Sequence, residues 1–295
     1  MSTHVIVCDY DEALISRLER RRLVVRVDDP SRLNDAARFA QERNALHALW
    51  LRVDAPLSGL PFTMLEALHA VPLYLDVTAV GNFRTWRDQV DRLRRLNVLV
   101  MVPEDAPVSY RDLRILSSLL IPCGIRFGSP CPDWEALTDL LYYAAYGKVL
   151  HAPIQPFHFV LSGYERHQRT DFSGITFDDP SRYLHIDSRG CIALTRKELE
   201  QGAFIESDLE KLDAVGDLPA YQSRLESWRD FFLKQDGCAY CPGWRICLGA
   251  FAGTPGNRPG CQKFFAEFLE AAEYHLDLRT EATRTILRPW DACPA

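Results

Sequence analysis

Short apolar, β-branched runs alternate with longer segments of helical spacing through the first half of the chain. The runs are His4–Cys8, Leu23–Val27, Ala48–Val53, Leu73–Val77, Val98–Val102 and Gly124–Phe127. Between them Leu33, Ala36, Ala37 and Ala40 fall on one helical face. So do Phe83, Trp86, Val90 and Leu93, and then Trp134, Leu137, Leu140, Leu141 and Ala144. Strand runs separated by amphipathic helices predict βα units and a parallel sheet. About six such units over residues 1–150 fit an α/β fold, either a doubly wound sheet or an incomplete (β/α) barrel. Gly147 stands where a cap for the last of these helices is expected.

The texture then changes. Residues 151–182 carry prolines and turn formers and read as a connecting segment. Tyr183–Ile186 and Cys191–Thr195 flank the turn Asp187-Ser-Arg-Gly190, a β-hairpin pattern. Glu206, Asp208 and Glu210 open one predicted helix, and Leu218–Lys234 form another. A third follows Cys261, with Phe264, Phe265, Phe268, Leu269, Ala272 and Leu276 on its apolar face. The expected organisation is a βα domain over 1–150, a connection over 151–182 and a small α+β domain over 183–295.

In a βα architecture the site lies at the C-terminal ends of the strands. Those ends read Cys8-Asp9, Val27-Asp28-Asp29, Val53-Asp54, Asp76-Val77-Thr78, Pro103-Glu104-Asp105 and Phe127-Gly128-Ser129, with acids at five of the six. N-capping of the following helices, for which Asp and Ser are favoured, explains them better than a polar or metal-binding mouth. Neither Gly-x-Gly-x-x-Gly nor the Gly-x-x-x-x-Gly-Lys phosphate loop occurs, which argues against Rossmann cofactors and nucleotide hydrolysis. His151, His158 and His167 lack the i, i+3 or i+4 spacing of ligands sharing a helix face and read as ordinary polar residues. Cys8, Cys123 and Cys131 are isolated and read as small buried hydrophobes. Cys293, near the end, reads as incidental.

Composition narrows the class. The chain has 295 residues, 47% hydrophobic and 25% charged, which suits one large domain or one plus a small one. A net charge of -6 offers nothing basic for nucleic acid. The first residues lack the basic stretch and apolar core of a signal peptide, and no apolar run is long enough for a membrane span. A cytoplasmic location is expected, where clustered cysteines read as metal ligands or redox groups before disulfides.

Such a cluster is present. Cys238-Ala-Tyr-Cys241-Pro-Gly-Trp-Arg-Ile-Cys247 is followed by Cys261, so that four of the nine cysteines lie in one short window. A Cys-x-x-Cys turn points two sulfurs at one centre, and Pro242-Gly243 tightens it. A cubane iron–sulfur cluster commonly takes close thiolates plus one remote cysteine, the pattern seen here. Structural zinc typically uses two Cys-x-x-Cys knuckles, and the chain has one. A 4Fe-4S cluster held by Cys238, Cys241, Cys247 and Cys261 is the favoured reading, with zinc second and disulfides third.

The hairpin, the helices after it and the Cys-x2-Cys-x5-Cys run together resemble the SPASM domain over residues 183–265. That domain extends many radical S-adenosylmethionine (SAM) enzymes that modify peptides, and it typically follows a partial (β/α)6 barrel. The resemblance implies auxiliary 4Fe-4S clusters, of which a full SPASM domain has two. Gly190 matches the family's glycine. The cysteine positions that would hold the first auxiliary cluster are lost: Thr195 and Phe251 occupy two, and no cysteine lies in the window 174–180. The ligands of the second, Cys238, Cys241, Cys247 and Cys261, are retained. Cys191 is displaced from the pattern and reads as a core residue. The Cys-x3-Cys-x2-Cys motif that holds the SAM-cleaving cluster occurs nowhere, and Arg52-Val-Asp-Ala-Pro stands where a Gly-Gly-Glu segment would receive SAM.

The resemblance therefore implies no SAM, no catalytic residue and one 4Fe-4S cluster. The implied role is an accessory subunit of a radical SAM/SPASM enzyme system acting on a peptide or protein. It would dock substrate, relay electrons or stabilise the catalytic partner, with neither nucleic acid nor membrane as partner. The alternatives are a structural zinc scaffold and an independent enzyme using Asp28, Asp54, Asp76 and Glu104.

Overall fold

In the computed structural model of the chain, the apolar runs become strands of one nine-stranded sheet. The structure describes residues 4–68, 71–105, 109–127, 132–168, 170, 172–230, 234, 238, 240–251 and 258–286. Cys131 and Cys293 lie outside the described residues. The strands are β1 (Val5–Asp9), β2 (Arg22–Val27), β3 (Ala45–Arg52), β4 (Leu73–Asp76), β5 (Val98–Pro103), β6 (Cys123–Arg126), β7 (Ile154–Gln155), β8 (Tyr183–Ile186) and β9 (Ile192–Ala193). The helices described are α1 (Glu12–Arg17), α2 (Leu33–Arg43), α3 (Phe83–Trp86), α4 (Val90–Arg95), α5 (Ser109–Ser118), α6 (Trp134–Tyr146), α7 (Phe157–Gly163), α8 (Arg196–Glu200), α9 (Pro219–Asp230), α10 (Trp244–Cys247) and α11 (Arg258–Ile286).

The α/β class is as expected, and the sheet is parallel except for the β8–β9 pair. Strand order is β7-β6-β5-β4-β3-β2-β1-β8-β9. From β1 to β7 it advances without a reversal, whereas a doubly wound sheet turns back at a switch point. Ile6, Cys8, Leu23, Val25, Leu49, Leu51, Leu73, Leu75, Val100 and Val102 form a buried layer on alternate strand positions. Helix α2 packs on β2 and β3, with Leu33, Ala36, Ala37 and Ala40 buried, α5 packs on β5 and β6, and α8 on β8 and β9. Asp11 and Asp133 start α1 and α6 by accepting the N–H groups of Leu14 and Ala136 at 2.8 and 3.1 Å.

The chain divides into two compact units. The first comprises Met1–Ser129, Val149–Gln155 and Ser173–Asp230 and contains the whole sheet. The second comprises Pro130–Lys148, Pro156–Phe172 and Phe231–Ala295. Two segments therefore differ from the expected organisation. The hairpin is part of the sheet, because β8 pairs in parallel with β1 through Val5↔Tyr183 and Cys8↔Ile186. Helix α6 belongs to the second unit, where its apolar face meets α11 and α7.

On the other face of the sheet, Phe177 is the centre of a second layer. Its ring lies 4.6 Å from Tyr74, 5.3 Å from Tyr183 and 5.7 Å from Trp50, over Val5, Val7, Val24 and Ala48. Its backbone is left-handed (φ 60°), unusual for an aromatic residue, and its carbonyl oxygen accepts from buried His185 Nε2 at 2.9 Å.

The second unit has an aromatic core. Phe264, Phe265 and Phe268 of α11 are buried and recur at helical spacing with Ala271 and Ala272. They pack with Trp134, Phe157, Phe172 and Phe251 at ring separations from 5.0 to 6.4 Å. Side chains of α11 also satisfy the open carbonyls at two other helix ends. His275 Nε2 bonds Ala145 O at 2.8 Å, and Arg279 donates to Leu161 O, Ser162 O and Tyr164 O.

Candidate metal centre

All four candidate ligands lie in the second unit. Cys238 and Cys241 are joined by a turn in which the Cys241 N–H donates to Cys238 O at 3.1 Å. The chain then passes through Pro242-Gly243 into the single-turn helix α10, which ends on Cys247. Cys261 sits in the first turn of α11. Cys241 is buried, and Cys238, Cys247 and Cys261 are partly covered.

Two glycines hold these segments against the aromatic core. A Cβ on Gly243 would overlap the Cβ of Phe265 and come within 3.0 Å of its carbonyl oxygen. A Cβ on Gly260, the residue before Cys261, would overlap the Trp134 ring. Cys241 and Cys261 thus each lie within two residues of a glycine that lets the backbone press on an aromatic residue, buried Phe265 or half-buried Trp134.

The end of α10 is built unusually. Leu248 is left-handed (φ 49°) and Gly249 follows at φ 75°. Consecutive turns of this kind swing successive N–H groups inward, the concavity that receives anionic groups in many phosphate and iron–sulfur sites. Here the N–H groups of Phe251, Gly249 and Ala250 are directed at the Cys247 sulfur, and that of Gly243 at the Cys241 sulfur. Burial pushes the Cys247 thiol up to about 12, and nearby Cys261 adds to the rise while the three N–H groups oppose it. Burial also raises Cys241, against the pull of the Gly243 N–H. Hydrogen bonds to sulfur favour the thiolate, which is the form that binds metal.

Thiols supplied with N–H donors suit a thiophilic metal or an iron–sulfur cluster, and Cys241 and Cys247 are of that kind. Cys247 and Cys261 are near enough for their charges to interact. Among the described residues no three His, Cys, Asp or Glu side chains form a metal-ligating group.

Two positions at which the SPASM resemblance expects cysteine have other structural uses. Thr195 caps α8, its Oγ1 accepting the Glu198 N–H at 3.2 Å. Phe251 is buried, with its ring 5.1 Å from Trp134. Cys191 is buried and its N–H donates to Asp187 Oδ1 at 2.9 Å.

Most of the acidic strand ends are paired. Asp9 and Asp28 meet Arg26 at 2.6 and 3.6 Å. Asp29 caps the turn at Pro30–Arg32 by accepting from Ser31 N–H at 2.9 Å. Buried Asp76 pairs with Arg126 at 2.6 Å and accepts from Trp50 Nε1 at 3.1 Å. Buried Glu104 accepts from Tyr110 at 3.4 Å, and Asp54 is exposed. These pairings spread the acids along the sheet edge.

Sequence reasoning read Gly243 as part of a turn and overlooked Gly249 and Gly260. Glycines flanking clustered cysteines are a usable signal for such close approaches. Left-handed Leu248 and Phe177 have no equivalent signal. No model of a known protein family matches the chain, and no curated protein sequence matches it.

Proposed function

We propose that this protein is a catalytically silent, iron–sulfur-binding accessory subunit of a radical SAM/SPASM enzyme system that modifies a peptide or protein. Its architecture in this reading is a partial (β/α)6 barrel-like body with a SPASM-like cluster segment. The strictly sequential order of β1 to β7, with β8 on the outer edge of β1, supports the barrel-like part.

The observation that carries the reading is the pair of cysteine sulfurs, Cys241 and Cys247, that receive backbone N–H groups from tight turns next to Cys238 and Cys261. Cys238, Cys241, Cys247 and Cys261 would hold a 4Fe-4S cluster. When bound, such a cluster supplies one-electron transfer or structural cross-linking. The chain's own contribution is to aim N–H groups at Cys241 and Cys247, which offsets part of the cost of burying their thiolates, and to cover the two sulfurs beside the aromatic core. Thr195 as a helix cap and Phe251 as a core ring agree with loss of the first auxiliary cluster.

Anaerobic purification tests this. Brown protein with about four irons and four sulfides per chain and an EPR signal on reduction is the expected result. Colourless protein with a single zinc would overturn the cluster and favour the zinc scaffold. In the cytoplasm of its source, a tagged chain should also co-purify with a radical SAM/SPASM enzyme. Recovery of the chain alone at native expression would count against the accessory role.

A further inference from the structure

Three tyrosines form an exposed row on the second unit, along the seam between α6 and α11. Tyr142, Tyr146 and Tyr274 are 44%, 42% and 49% exposed. The Tyr142 and Tyr146 rings are 5.8 Å apart, and those of Tyr146 and Tyr274 5.5 Å apart. Isolated exposed aromatics are ordinary, but a continuous row of rings is the composition of a binding surface.

The charge around the row is mainly acidic. On α6, Glu135, Asp139, Tyr142 and Tyr146 follow one another at helical spacing on the solvent side, and the helix has no Lys or Arg. On α11, Glu270 lies one turn before Tyr274, and Asp277, nearly one turn after it, pairs with Arg166 at 2.8 Å. Exposed Lys148 follows Tyr146 by two residues, Lys263 lies 4.0 Å from Glu267, and Arg279 turns its guanidinium to carbonyls at the end of α7, while Glu135, Asp139 and Glu270 are exposed carboxylates. The tyrosine hydroxyls register the field: the bond to Glu267 raises Tyr142, and burial with the charge of Glu270 raises Tyr146.

We propose that this row is a docking surface for a lysine- or arginine-rich segment of a partner polypeptide. Flat aromatic faces flanked by carboxylates match a cation carried on an apolar stem, which stacks over the ring and pairs with the acid. Nucleic acid and anionic lipid carry the wrong charge. A second copy of the chain would set acid against acid across a two-fold interface. The inference is independent of the metal centre.

Fluorescence anisotropy on the full chain tests it. The probes are a labelled short peptide of alternating lysine and leucine and its counterpart with glutamate for lysine. The lysine peptide should bind, more weakly as salt rises, and the glutamate peptide should not. A Tyr146→Ser/Tyr274→Ser variant should weaken binding about tenfold or more with its unfolding midpoint near that of the parent. If that variant unfolds, Asp139→Asn/Glu270→Gln carries the test, because both side chains are exposed and the change removes charge without volume. Equal binding of the two peptides, or undiminished binding by the charge-neutral variant, would overturn the proposal. So would binding of anionic vesicles or nucleic acid in preference to the lysine peptide, or self-association through this face.

Discussion

Gly243 and Phe265 touch backbone to side chain: the turn after Cys241 lies so close to α11 that no side-chain atom fits at residue 243. The position is within two residues of one candidate ligand, and its N–H is aimed at that ligand's sulfur. Gly243→Ala must push the turn off the helix or move a buried phenylalanine, an overpacking cost of about 1–3 kcal/mol. The variant should unfold at lower urea concentration, and any bound metal or cluster should be lost in proportion. Gly216→Ala, where nothing lies within 4 Å, is the control and should leave both properties unchanged.

The isolated cysteines of the sheet should be chemically silent. Burial pushes the Cys8 thiol up to about 12, with Asp9 and Asp11 adding to the rise, and burial raises Cys123 further. Cys123 Sγ also donates to Leu113 O at 3.4 Å. At pH 8 the Cys8 side chain is therefore held as the thiol, on top of the barrier to reagent entry. Iodoacetamide followed by mass spectrometry should label neither residue in the native protein and both after unfolding in guanidinium. Native labelling at Cys8 would contradict its assignment as a core residue.

The strands were legible because a buried strand needs continuous apolar residues, and the six expected runs match β1 to β6 with shifts at their ends. Two-residue β7 offered too little pattern to read. The hairpin itself was legible, but its place was not. Tyr183–Ile186 pairs with Val5–Cys8 across some 180 residues of chain, and an apolar alternating run does not say which edge it will join. The same limit applies to α6, whose apolar stripe fits a sheet or another helix equally well. At the candidate centre the four cysteines were grouped from their spacing alone. The N–H groups behind Cys247 were not, since they depend on a left-handed leucine, a conformation that residue type disfavours.

Asp76 acts as part of the sheet's internal charge pairing. Its carboxylate is 5% exposed, pairs with Arg126 at 2.6 Å and accepts from Trp50 at 3.1 Å. Asp76→Ala strands the indole N–H and the guanidinium and should cost about 1–3 kcal/mol. Urea unfolding measures it. The independent-enzyme alternative requires instead that the variant lose a turnover while keeping its stability.

Alkali should unfold the second unit through Tyr164. Its hydroxyl donates to Glu273 Oε1 at 2.8 Å, while Arg166 donates to Glu273 Oε2 at 2.7 Å and to Asp277 at 2.8 Å. Burial, then the bond to Glu273 and its charge, push the phenol up to about 12, against the opposing pull of Arg245 and Arg166. An unfolded tyrosine titrates near 10, so the native state keeps a proton that the unfolded state releases. The stabilisation is therefore complete below about pH 10 and drains away as pH rises toward 12. Glu273→Gln keeps an acceptor but removes the charge that helps hold the proton. It should cost about 1 kcal/mol at neutral pH and flatten the decline above pH 10. Urea unfolding across the alkaline range, with Tyr164→Phe as the control that lacks the proton altogether, measures both effects. An unchanged alkaline slope in Tyr164→Phe would assign the decline to other groups.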